Sequence, residues 1–79
     1  MDDLELSEAI SEAYSSAHKT LDLSFEELTE LPPGIGGLTS LSRLDLRGNN
    51  LSSLPDEFGN LKALTELNLG GNKFTELPK

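Results

Sequence analysis

The amino-acid sequence predicts an α/β solenoid, with three short parallel strands stacked at a fixed period and one helix before them. Two observations carry that expectation. Leucines recur in register every 23 residues from Leu21 onward, and the residues before Leu21 show the apolar spacing of a helix instead. A third observation sets the scale: 79 residues without a cysteine make one thin core at most, with no disulfide or thiolate-metal staple to support it.

Aligned on the period, units begin at Leu21, Leu44 and Leu67, and the third is incomplete. Matching columns are Leu23, Leu46 and Leu69; Leu28, Leu51 and Phe74; Leu31, Leu54 and Leu77; and Pro32, Pro55 and Pro78. In the two full units Ile35 and Phe58, Leu38 and Leu61, and Leu41 and Leu64 also coincide. An L-x-L run puts two side chains on one face of a short strand, because side chains alternate with period 2. Such a strand cannot bury that face alone. Stacked as a parallel sheet, the strands cover it with the leucines of the return segments, so each unit depends on its neighbours. Proline fixes φ and lacks an N–H, which suits the exit from the strand layer. After Pro55, residues 56–61 are expected to form a short helical turn with Asp56 as N-cap. The Pro33-Gly34 and Gly36-Gly37 pairs predict a looser return in the first unit.

These residues carry a family resemblance. Leu44-Asp45-Leu46-Arg47-Gly48-Asn49-Asn50-Leu51-Ser52-Ser53-Leu54-Pro55 resembles the leucine-rich repeat, and the likeness extends over residues 21–79. The unit is similar to repeats of intracellular and bacterial proteins, including the repeat regions of Roco-type multidomain GTPases. The resemblance implies a right-handed coil in which an asparagine after each strand turns inward and bonds backbone groups of adjacent coils. Asn49 and Asn72 match that position, while the first unit has Glu26 there. A carboxylate is costly to bury unpaired, so Glu26 is expected at the rim.

Before the repeats, Leu6, Ile10, Ala13, Tyr14 and Ala17 form one apolar stripe at helical spacing. They predict a helix over residues 4–18, with acids in its first turns and His18 and Lys19 in its last, as the helix dipole favours. Residues 1–19 are thus expected to be an N-terminal capping helix over the first coil, and residues 20–79 the repeats. A helix docking into a partner's groove is the alternative.

Composition excludes several functions. Fourteen acidic against six basic residues give a net charge of −8, which disfavours nucleic acid and anionic membrane surfaces as partners. The acidic start, Asp2-Asp3-Leu4-Glu5, lacks the basic residues of a signal peptide, no apolar stretch is long enough to span a bilayer, and cysteine is absent; a cytoplasmic location is expected. His18 is the sole histidine and reads as a surface residue. Asp2, Asp3 and Glu5 read as solvated acids on a fraying terminus. The glycines at 34, 36, 37, 70 and 71 lack the lysine and hydroxyl residue of a phosphate loop, and Asp22 with Asp45 on an open sheet has nothing to separate two carboxyl pKa values. No enzyme, cofactor or metal is expected.

A binding face follows from the alternation. If the L-x-L leucines point inward, three columns point outward: Thr20, Arg43, Glu66; Asp22, Asp45, Asn68; and Ser24, Arg47, Gly70. On this concave face Arg43 and Arg47 would anchor a carboxylate-bearing partner while Asp22, Asp45 and Glu66 select against wrong ones, although the same charges can pair among themselves. The unfinished third unit would leave an edge formed by Leu67, Leu69, Phe74 and Leu77, which implies a piece of a longer array, or a second place for contact through self-association or a partner's added strand or helix. The expected function is protein–protein interaction through the concave face or that edge. The alternatives are a structural, self-assembling cap-plus-repeat unit, and a regulatory fragment of a larger multidomain signalling enzyme.

Overall fold

The computed structural model describes residues 2–74. Helix α1 spans Asp3–Ser15 and is followed by strands β1 (Thr20–Asp22), β2 (Arg43–Asp45) and β3 (Glu66–Asn68). The strands form one parallel sheet in the order β1-β2-β3. Its register is the sequence period, with Leu21 opposite Leu44 and Leu44 opposite Leu67. Main-chain pairing continues past the strands: Leu23 N–H donates to the Asp45 carbonyl and Phe25 N–H to that of Arg47, and one unit later Leu46 donates to Asn68 and Gly48 to Gly70.

Each strand is followed by a return through a 3-10 turn, Pro33–Gly37 in the first unit and Asp56–Asn60 in the second. The first return is therefore as regular as the second, contrary to its glycine content. The reason is packing: a Cβ on Gly36 would lie 2.5 Å from the Glu57 carbonyl oxygen, so the glycine lets the two turns touch. Asp56 is not a cap either. Pro55 occupies the N-cap position and no side chain bonds the turn's first amides.

The core lies between the sheet and these turns, where Leu23, Ile35, Leu41, Leu44, Leu46 and Leu51 are almost wholly buried. Leu6, Ile10 and Ala13 of α1 join the same cluster. The apolar stripe is narrower than its sequence spacing implied, because Tyr14 and Ala17 are exposed. The helix begins in order, not frayed: Asp2 accepts from Glu5 N–H at 2.8 Å and the Glu5 carboxylate accepts from Asp2 N–H at 3.2 Å, a reciprocal capping box. It ends at Ser15, not residue 18, so His18 and Lys19 lie beyond its last turn. Ala17 takes a left-handed φ of 50°, with Ala17 N–H donating to Tyr14 and His18 N–H to Ala13, the bonding of a Schellman motif. No glycine marks this stop, which is why the sequence does not announce it.

Between units the bonding is carried by two asparagines. Asn49 is 2% exposed, accepts from Glu26 and Leu28 N–H at 3.1 and 3.0 Å, and donates to the carbonyls of Leu23, Leu46 and Arg47. Asn72 repeats the pattern one unit on, accepting from Leu51 N–H and donating to Leu46, Leu69 and Gly70. Glu26, at the equivalent place in the first unit, is half-buried. An Asn49→Ala variant leaves two inward amides and their facing carbonyls unpaired, and each unsatisfied buried group costs about 1–3 kcal/mol. Urea unfolding should show Asn49→Ala losing about 3 kcal/mol or its fold outright, with a smaller loss for the half-buried Asn72→Ala.

Candidate functional site

The sheet face opposite the core presents the expected columns. Thr20, Arg43 and Glu66 are register partners, as are Asp22, Asp45 and Asn68. Ser24, Arg47 and Gly70 continue the face, held in line by the main-chain bonds just beyond the strands. Ser24 and Asp45 are half-buried, and the other seven of these nine residues are exposed.

The middle column has a backbone role that its polar character alone does not reveal. Asp22 Oδ1 accepts from Ser24 N–H, Asp45 Oδ1 from Arg47 N–H and Asn68 Oδ1 from Gly70 N–H, each at 2.9–3.1 Å. Every strand is thus followed by the same Asx turn, two residues on. The recurrence of Asp or Asn at this column was the available signal. A second ladder runs along the strand entrances: the Lys19 carbonyl accepts from the Ser42 and Arg43 amides and the Ser42 hydroxyl, and the Ser42 carbonyl accepts from the Thr65 and Glu66 amides and the Thr65 hydroxyl.

Both arginines are paired within the face. Arg43 Nε lies 2.9 Å from Glu66 Oε2 and Nη2 donates to Oε1 at 3.1 Å, a forked pair between neighbouring strands. Arg47 makes a second fork to Asp45, with Nε 2.9 and 3.0 Å from its two oxygens and Nη2 2.7 Å from Oδ2. The Glu66 side-chain hydrogen bond and charge raise the Arg43 pKa, and Asp45 does the same for Arg47. Hydrogen bonds from Ser24, side chain first and then backbone, hold Asp22 below the ordinary carboxyl value; Arg47 does this for Asp45. Between β2 and β3 the face dips into an open depression of about 570 Å³ lined by Arg43, Leu44, Asp45, Thr65, Glu66, Leu67 and Asn68.

Of the expected edge residues, Leu67 is 40% exposed where its counterpart Leu44 is 1% exposed. Leu69 and Phe74 are half-buried against the core, so they offer less apolar surface than the sequence implied, and Leu77 lies outside the described residues. His18 is exposed, and among the described residues no cluster of His, Cys, Asp or Glu is arranged to hold a metal ion. No helix among them is long and apolar enough to cross a membrane.

The leucine-rich repeat family matches residues 19–74, and the chain belongs to that family. A solved structure of a leucine-rich repeat protein from Leptospira interrogans is similar at 28% identity and a TM-score of 0.45, over 86% of this chain and 30% of that one. This chain therefore spans less than a third of that protein. No curated protein matches it. Leucine-rich repeat domains are in general protein-interaction modules and typically not enzymes.

The lowered carboxyl values have a testable consequence. A group whose folded-state pKa is depressed stabilises the fold above its unfolded value and loses that contribution as pH falls through the folded one. Carboxyl-carbon NMR titration should place the midpoints of Asp22 and Asp45 below 3.8, with their contribution to stability present above the unfolded value and lost as pH falls through those midpoints. Ser24→Ala should move the Asp22 midpoint back upward and leave Asp45 where it is.

Proposed function

We propose that the chain is a cytoplasmic protein-interaction module whose units coil as a right-handed solenoid. In this reading residues 1–19 cover the first coil with α1, residues 20–79 form the repeats, and a partner protein lies on the concave face. The arrangement that supports it most is the outward face of the sheet, where Arg43 and Asp45 of β2 and Glu66 and Asn68 of β3 line an open depression between the two strands. Leu6, Ile10 and Ala13 packed into the repeat core support the capping role of α1.

The paired arginines bear on how a partner would be held. An acidic group would compete with Glu66 for Arg43 or with Asp45 for Arg47. Such exchange of exposed ion pairs gives selectivity more than affinity. A partner captured by the wild-type chain and then isolated should bind an Arg43→Ala/Arg47→Ala variant at least about tenfold more weakly, about 1.4 kcal/mol. An Asn60→Ala/Lys62→Ala variant, altered on the return side, should bind it unchanged. Equal binding by the arginine variant would remove the concave face from consideration.

A second reading is favoured by Leu67, whose 40% exposure leaves apolar surface on the outer edge of β3. Here the contact is the edge itself, joined to a second copy or to a partner. Light scattering at rising concentration should then show a dimer that Leu67→Lys disperses; a monomer throughout rejects the edge as a self-association surface.

A further inference from the structure

Phe25 adds nothing to the core. It is 70% exposed, yet it stands in the column where the next two units carry Gly48 and Gly71. Those glycines have φ of 69° and 72°, and Phe25 shares the conformation at 55°. A large side chain there works against the backbone. One side of the ring rests over Gly48, in the space a Cβ at that position would need, and the Arg47 guanidinium carbon lies 6.0 Å from the ring centre. Most of the ring surface is exposed. The backbone at position 25 would suit glycine better, whereas an exposed aromatic beside a polar face is a form that binding hot spots take.

The surrounding charge indicates what would meet it. Residues 20–42 carry Asp22, Glu26, Glu27 and Glu30 and no lysine or arginine, while residues 43–65 balance Arg43, Arg47 and Lys62 against Asp45, Asp56 and Glu57. Among the described residues Asp45 and Glu66 have salt-bridge partners, whereas Asp22 bonds Ser24 and feels Arg47 only at longer range. Asp22 is three residues from Phe25 and within electrostatic reach of Arg47. The carboxylate of the outward face without a salt bridge, Asp22, therefore lies at the end that bears the exposed ring.

We propose that Phe25 and Asp22 form a hot spot for a basic segment of a partner protein, with an arginine guanidinium stacked on the exposed ring and its charge met by Asp22. Arginine fits better than lysine, because its planar group stacks and forks to a carboxylate at once. Glu27, exposed on the same loop, extends the acidic margin. This deepens the interaction reading above and rests on it.

The test uses the full 79-residue chain, nitrogen-labelled, titrated with an (Arg-Gly)4 peptide and with (Lys-Gly)4 and (Glu-Gly)4 controls. Saturable shifts are expected at the amides of Asp22, Ser24, Phe25 and Arg47, stronger for the arginine peptide than for lysine and absent for glutamate. Phe25→Gly should weaken the arginine peptide about tenfold while the thermal midpoint stays or rises; Asp22→Asn should weaken it severalfold. Shifts centred on the α1 acids, wild-type binding by Phe25→Gly, or a clear drop in its thermal midpoint would overturn the proposal, the last by making the ring a packing element. If the peptide misses Phe25 while a natural partner still depends on Arg43 and Arg47, the hot spot falls and the interaction reading survives. Loss of both dependences removes both.

Discussion

A 23-residue unit built around a three-residue strand has more inward-facing main-chain groups than the strand ladder can pair. Asn49 resolves that constraint. One primary amide accepts from two amides of the first unit and donates to a carbonyl there and to two in its own unit, so unit-to-unit register and loop conformation are fixed together. Because the asparagine is buried, these bonds are shielded from water, and the leucines packed around them gain their burial only if the bonds form. Asn72 extends the device by one unit. The sheet, the tight meeting of the 3-10 turns at Gly36 and the shared core all presuppose this spacing.

The same constraint shapes the outward face. Each strand must end quickly, and the Asp22, Asp45 and Asn68 side chains end it by bonding the amide two residues later. That column therefore has a backbone role of its own, whatever partner the face meets. With Arg43 and Arg47 forked onto Glu66 and Asp45, most of the charge on the face is matched, and the unmatched part lies on the first unit beside Phe25. Fold and the proposed recognition surface are separated in space: asparagines and leucines hold the units together from inside, while the outward face and its aromatic corner are left to the proposed contact.

Much of this was legible in the sequence because a period is a geometric statement. Leu21, Leu44 and Leu67 pair in the sheet because they share a column, and the asparagine column follows from the same alignment. Mutual pairing of the outward charges could be anticipated, since Arg43 and Glu66 are one period apart. Features that depend on local backbone shape were hidden. Ala17 ends α1 in a conformation that sequence assigns to glycine, so the helix read three residues too long. Proline before Asp56 took the cap position, and Gly34, Gly36 and Gly37 read as looseness when Gly36 serves close packing. The Asx turns and the exposed ring of Phe25 needed the loop geometry to become visible.

Hydrogen exchange of the backbone amides tests the asparagine-centred stack most directly. If Asn49 and Asn72 bind the units together, the loop amides of Glu26, Leu28 and Leu51 should exchange as slowly as Leu23 and Leu46 in the strand ladder, and all should open in one cooperative step. Loop-like rapid exchange at Glu26, Leu28 and Leu51 alongside protected ladder amides would contradict it, because the stack would then be held by the strands and leucines alone.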